Sequence, residues 1–435
     1  MSSARPRRRL PNALVVALLA LVTMVGLAPR GGSAQEQVEL RIWDQFTGPN
    51  SEAVDAIYKT YTDANPNVKI TREAVQTDTM RDTINTAMGS GTGPDVIFYD
   101  AGPGYAGVLA DAGLLSPLDD LATQYGWRDR IAASALEGTT IDGKLYGLPL
   151  QVDLIGMYYN KSLLEKEGLV LPETLDQLKT FCTDASAKGY VPMALSANPG
   201  WQNFHQFSMV ANAMMGPDVV RELLINNNGN WNSPEVVKAI DAFFVQLRDA
   251  KCFSSDVNAL TYDDAAALFY SGQSLITTTG SWLIPDIEKN MPDADIGFVP
   301  FPQLPEAKGR YWVSGVGSAY FISAKSEQQA EAAKLLDYLF TAETAKRWVE
   351  EADLFVPIQV DVASLNVSPL SKLIIDTLQT GVTGEQTFGY NVDVLAPEAF
   401  NTAMSNGFQA MLSGDKTAEE MAAELEAAWE SAQAT

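Results

Sequence analysis

Residues 38–100 read VELRIWDQFTGPNSEAVDAIYKTYTDANPNVKITREAVQTDTMRDTINTAMGSGTGPDVIFYD, three apolar runs separated by two amphipathic stretches. VELRIW is strand-like, alternating apolar and polar residues up to Trp43. In SEAVDAIYKTYTDANP, Val54, Ile57, Tyr58 and Tyr61 fall at i, i+3, i+4 and i+7, the spacing of one buried helical face, and Asn65-Pro66 ends it. VKITREAV is a second strand, Met80, Ile84, Ala87 and Met88 mark a second helix, and GTGP turns the chain into a buried strand at DVIFYD. The series is a βαβαβ unit, which builds a parallel sheet. Such a sheet binds ligands in the crevice beyond the carboxyl ends of its strands. Those ends are Trp43-Asp44 and Tyr99-Asp100, with the turn from Gln76 to Asp78 beside them; for each residue the alternative is a solvated loop position.

Upstream, RPRRR at 5–9 precedes an uncharged apolar run from Ala13 to Ala28, followed by Pro29, Arg30, two glycines and Ser33-Ala34. A basic start, a short apolar run and small residues at a cleavage point make residues 1–34 a secretory signal peptide. The run falls short of the roughly 20 residues that span a bilayer comfortably, which favours cleavage near Ala34 over a retained anchor. No cysteine follows closely, so no lipoprotein attachment site is expected. The chain should therefore work outside the cytoplasm, in the periplasm or on the extracellular face of the cytoplasmic membrane.

Of 435 residues, 46% are hydrophobic and 19% charged, enough for more than one compact domain. Thirty basic and 54 acidic side chains give a formal charge of −24; loss of residues 1–34 removes five arginines and no acid, which takes it to −29. A polyanion of this kind is repelled by nucleic acid and by anionic lipid, so neither is an expected partner. One histidine, His205, excludes a multi-histidine zinc centre, and two cysteines cannot complete a structural zinc set. No metal or cofactor is expected. Cys182 and Cys252 can pair in an oxidising compartment or stand as two separate thiols.

Further along, Ser233 and Pro234 open a helix whose Val236, Val237, Ile240, Phe243, Phe244 and Leu247 belong to a core. SLITTTGSW is a strand ending at Trp282, Thr417 and Glu420 form a capping box, and INNNGNWN at 225–232 reads as a surface loop. Tyr158-Tyr159 lies inside a strand, where neighbours point to opposite faces, so the pair does not read as an iron site.

Several segments in this order resemble one family: GPDVIFYDAGPGYAGVLADAGLLSPLDD at 93–120, DGKLYGLPLQVDLIGMYYNKSLLEKEGL at 142–169, GSWLIPDIEKN at 280–290, VSGVGSAYFISAKSEQQAEAAKLLDYLF at 313–340 and LSGDKTAEEMAAELEAAW at 412–429. Together they resemble the family 1 extracellular solute-binding proteins, the substrate-capturing subunits of ABC importers, of the maltose/maltodextrin-binding type. The resemblance implies a type II periplasmic binding-protein fold: α/β, with two discontinuous lobes and a ligand cleft between them. Crossovers near 148–152, 310–316 and 353–357 would assign 35–147 and 316–352 to lobe 1 and 148–315 and 353–435 to lobe 2. It also implies a monomer without catalysis, which captures a mono- or oligosaccharide by lobe closure and delivers it to the permease subunits of the importer.

By position in the matching segments, Tyr99 resembles an aromatic ligand plate and Asp100 a hydroxyl acceptor beside it. Asp153 resembles the acidic ligand residue at the crossover, Trp282 the tryptophan that stacks on a sugar ring, and Trp201 a further aromatic contact. A saccharide needs aromatic faces for its C–H surfaces and acceptors for its hydroxyls. On that chemistry Trp43, Asp44 and Asp78 are added from strand ends, and Trp231, Trp312 and Tyr390 from loops facing the expected cleft, each tryptophan having a core position as its alternative. His205 reads as an ordinary residue of the second lobe. The rival readings are a secreted glycoside hydrolase, for which acids are plentiful, and a binder of a polyamine, glycerol phosphate or an oligopeptide.

Overall fold

The structure, a computed structural model, describes residues 37–358 and 360–434. The signal peptide read at 1–34 lies outside the described residues.

The opening βαβαβ unit forms as its periodicity requires. Strands β1 (Val38–Asp44), β2 (Val68–Ala74) and β3 (Val96–Asp100) lie parallel, with β1 in register with β2 from Val38 opposite Val68 to Asp44 opposite Ala74. Helix α1 (Ser51–Ala64) buries Val54, Ile57, Tyr58 and Tyr61, and α2 (Thr77–Ser90) buries Met80, Ile84 and Met88. Helix α2 stops at Gly91, whose φ of +77° places it in the left-handed region that suits glycine best.

Six more strands complete a single nine-stranded sheet: β4 (Gly147–Asn160), β5 (Val191–Ala194), β6 (Ser274–Gly280), β7 (Ile296–Val299), β8 (Val313–Ile322) and β9 (Gly389–Tyr390). The order is β2-β1-β3-β8-β4-β6-β5, with β9 added on β8 and β7 on β4. Strand β8 runs antiparallel to both neighbours: its residues 318–322 face β3, while Val313 to Val316 face the middle of β4. Strand β4 in turn gives its first half to β8 and its second half, from Ile155, to β6 and β7.

These two long strands join separate hydrophobic cores. One core holds Leu40, Val54, Phe98, Leu148, Leu150, Tyr320 and Trp348, with Met80, Ile97 and Phe321 in a satellite on it. The other holds Ile155, Leu178, Phe207, Phe243, Leu275 and Phe408, with Leu154, Tyr158 and Phe269 in its satellite. Leu150 thus belongs to one core and Leu154 to the other, only four residues along β4. Between them the β8–β4 ladder slips at Val316–Ala319, and a bulge of this kind bends and twists the strand that carries it. A third segment passes the same point: the Phe355 carbonyl accepts from the Val152 N–H at 2.8 Å.

The second core is mostly helical, including α3 (Leu175–Ala187), α4 (Gln202–Met215), α5 (Tyr262–Tyr270) and, after the return through α6 (Gln329–Leu339) and α7 (Ala342–Ala352), the C-terminal α8 (Glu398–Ser413) and α9 (Ala418–Gln433). Local signals set several of their starts. The Ser233 hydroxyl accepts from the Val236 N–H, and Thr417 and Glu420 cap α9 reciprocally. Cys182 of α3 and Cys252 are joined in a disulfide, both fully buried in this core.

Candidate functional site

The carboxyl ends of β1 and β3, the slip in β8 and the end of β6 surround a cavity of about 480 Å³. Residues of both cores line it. From the first come Gln45, Asp78, Arg81 and Asp100; from the second, Trp201, His205, Tyr262 and Trp282; Asp153, Gly317, Ser318, Asn391 and Asp393 lie where the strands cross.

The second side is an aromatic wall. Trp282 sits in a short turn directly after β6, and its indole folds back so closely that a Cβ on Gly280 would stand 1.9 Å from it. The Trp282 indole N–H donates to the Tyr262 hydroxyl at 2.9 Å, and that hydroxyl also meets the Thr279 hydroxyl at 3.1 Å. Trp201, just before α4, lies 4.7 Å from the Tyr262 ring and edge-on to His205 at 5.6 Å, while His205 lies 4.9 Å from Trp282. Burial first, and the nearby Arg81 charge second, push the His205 pKa down to about 3, so the imidazole is neutral.

The first side is polar and charged. Arg81 Nε donates to Asp100 Oδ2 at 2.9 Å, and the Gln45 amide donates to the same oxygen at 3.3 Å. The guanidinium stands over the Tyr105 ring at 4.8 Å and over Trp201, on the opposite wall, at 5.7 Å. At the crossing strands, Asp153 Oδ1 accepts from the Gln151 amide at 3.0 Å and the Ser281 hydroxyl at 2.7 Å. Gly317 keeps this carboxylate free of the sheet, since a Cβ there would stand 2.6 Å from Asp153 Oδ2. The Tyr105 hydroxyl donates to Asp393 Oδ2 at 3.3 Å, and the Ser371 hydroxyl to Asp353 Oδ1 at 2.7 Å.

Burial raises Asp153, Asp353 and Asp393 from 3.8 to about 6, against the hydrogen bonds that each receives. A carboxyl with a raised folded pKa costs stability where it is ionised: the cost is absent below about pH 3.8 and complete above pH 6. His205 acts oppositely, because an imidazole held neutral loses stability as pH falls through 6.5. The three carboxyls outweigh the one imidazole, so the ligand-free protein should be more stable at pH 5 than at pH 7.5 by on the order of 2 kcal/mol. Calorimetry should read this as a Tm a few degrees higher at pH 5. Asp393→Asn should narrow the gap and His205→Gln widen it; equal Tm at the two pH values would contradict it.

Of the residues singled out from sequence, the cavity brings together Asp78, Asp100, Asp153, Trp201 and Trp282. The other six do not line it. Tyr99 packs in the satellite core around Met80 and Leu109, because alternation along β3 turns Phe98 and Asp100 to the cavity and Tyr99 away. Trp43 packs against that same cluster. Asp44 is fully buried and paired with Arg72, Nε to Oδ2 at 2.6 Å, so it holds β2 to the loop after β1 instead of meeting a ligand. Trp231 is fully buried against Phe207, Phe400 and Trp429: the asparagines of its loop stay exposed while the indole anchors the loop in the core. Trp312 stacks on Phe298 at 5.1 Å, and Tyr390 packs on the second core while its neighbour Asn391 reaches the cavity.

Sequence reasoning passed over Arg81, Tyr262 and Asp393, and it read His205, which lines the cavity, as an ordinary residue of the second lobe. Arg81 had a readable signal, since it lies one turn beyond Asp78 on the face of α2 nearest the strand ends. His205 lies one turn beyond Trp201 on α4 in the same way. Tyr262 opens a helix marked by the Thr261–Asp264 capping box, which signals the helix start but not a ligand contact, and Asp393 comes from a loop without a local mark.

A sheet continuous between two cores, with a cavity at the crossing strands, is the type II periplasmic binding-protein fold of the maltose-binding type. The model of the bacterial extracellular solute-binding protein family matches residues 44–346, and the chain belongs to that family. Its family and fold are those of binding proteins, not enzymes. The multiple sugar-binding protein of Streptococcus mutans is 28% identical over 213 residues, which is 48% of this chain and half the length of that relative. A solved protein from work on xylan utilization by Caldanaerobius polysaccharolyticus aligns with a TM-score of 0.79 at 22% identity, over 90% of this chain and 99% of that one. An ABC transporter solute-binding protein of Thermotoga lettingae bound with α-D-tagatose aligns with a TM-score of 0.72 at 22% identity, over 91% and 98%.

Proposed function

We propose that this chain is the exported capture subunit of an ABC importer and that its ligand is a saccharide. The observation that carries the reading is the aromatic wall of Trp201, Tyr262 and Trp282 facing the polar groups Gln45, Asp78 and Asp100 across one cavity. Rings offer flat, weakly negative faces to sugar C–H groups, and carboxylates and amides accept from hydroxyls that would otherwise be buried without partners. The sugar-binding relative and the tagatose-bound structure support the same ligand class.

Capture works by closure. The two lobes, one around each core, turn about the slip between β8 and β4, and a ligand touching both walls favours the closed form because it gains contacts only there. The closed form is what the permease subunits recognise. The protein acts as a monomer, is exported on its N-terminal signal peptide, and performs no chemistry on its ligand.

A panel of mono- and oligosaccharides should raise the Tm without generating new reducing ends; turnover would favour the hydrolase reading. Trp282→Ala should weaken binding of the stabilising sugar by about 1–3 kcal/mol through lost stacking area, read by isothermal titration. Trp43→Phe should leave the affinity unchanged. Equal affinity of the Trp282→Ala protein would remove that residue from the site.

A further inference from the structure

The cavity carries more negative charge than a neutral sugar can use. Arg81 is the one Lys or Arg among its lining residues, and Asp100 already holds it at 2.9 Å. Six further carboxylates line the same space. Asp78, Asp263 and Asp286 are in its more open part, and burial first, with the neighbouring carboxylates Asp82, Asp100 and Asp263 adding to it against the pull of Arg81, raises the Asp78 pKa. Asp153, Asp353 and Asp393 are deeper. Among the described residues none of these six is within ion-pair distance of a lysine or arginine. His205, held neutral, supplies no charge.

A second observation points to an absent cationic donor. Asp393 is 4% exposed and lines the cavity, yet its Oδ1 has no hydrogen-bond partner among the described residues, and Oδ2 receives a single bond from Tyr105. Sugar hydroxyls can donate to such oxygens but leave the charge in place, and lobe closure then concentrates like charges in a space from which water is expelled. An ammonium group supplies three donors and the missing charge together. A flexible polyamine would meet the carboxylates but present no ring face to Trp201 and Trp282.

Resting on the saccharide reading above, we infer that the preferred ligand is a basic amino-saccharide, with its rings on the tryptophan wall and a protonated amine among the cavity carboxylates. The test is isothermal titration of the full mature chain at pH 6.5 with three matched probes, glucosamine oligomers, their N-acetylated counterparts and cello-oligosaccharides, together with spermidine. The glucosamine oligomers should bind about tenfold or more tightly than either neutral series, and that advantage should shrink with added salt. Asp393→Asn should reduce the advantage; Asp263→Asn, at an exposed position, gives a second variant whose folding is not at risk. Neutral oligomers binding as tightly as the amine would overturn this inference and leave the saccharide reading intact. Spermidine binding without any saccharide binding would overturn both.

Discussion

Removing the disulfide by the paired change Cys182→Ala and Cys252→Ala should lower the unfolding free energy by about 4 kcal/mol. The two residues are 70 apart in sequence, and the entropy of closing a loop of that length in the unfolded chain is worth roughly that amount. The loop contains β5 and α4, and Met193 of β5 donates its N–H to the Cys252 carbonyl at 2.9 Å. The bond therefore staples the stretch that presents Trp201 and His205 to the cavity. Denaturant unfolding should show a lower midpoint and a steeper slope, because the unfolded chain without the crosslink expands and exposes more surface. Neither cysteine lines the cavity, so the folded fraction of the variant should keep its ligand affinity. A loss under about 1 kcal/mol would mean that the unfolded chain already holds these segments together.

Arg72→Met should cost about 3–5 kcal/mol, because it strands the buried Asp44 carboxylate. The pair is bidentate, at 2.6 and 2.8 Å, and the guanidinium also reaches Asp55 at 2.9 Å and the Phe46 carbonyl at 2.8 Å. Asp44 is fully buried and its pKa is raised by desolvation even with Arg72 present. Without that partner it should take up a proton more readily, so the destabilisation should be smaller at pH 5 than at pH 7.5. Asp44→Asn added to Arg72→Met should recover part of the loss. Neither residue lines the cavity, so saccharide affinity should not move while stability falls. A destabilisation below 1 kcal/mol at pH 7.5 would show that water reaches the carboxylate.

The two cases mark where a strand end supports the fold and where it meets a ligand. Asp44 and Asp100 both end parallel strands, and by sequence they are equivalent. What separates them is their arginine. Arg72, on the neighbouring strand, closes over Asp44 inside the sheet edge, whereas Arg81, on α2, approaches Asp100 from the cavity side. Neither pairing is written within a few residues of the acid.

Aromatic residues follow the same division. Trp282 could be assigned through the resemblance of its GSWLIPDIEKN segment, and the end of β6 at Gly280 carries it to the cavity. Trp231 could not, because its polar neighbours describe the loop's surface and carry no record of Phe207, Phe400 and Trp429, which bury it from distant helices.

The sequence by itself determined the periodic elements, their caps, the α/β class and the crevice at the strand ends, because those follow from spacings of one to four residues and from chain direction. Only the tertiary structure decided which acids are paired, which indoles are exposed to the cavity, and that the cysteines meet. Those outcomes depend on which side chains from remote segments fill the space around each residue, and burial and charge pairing act through space, whatever the distance along the chain.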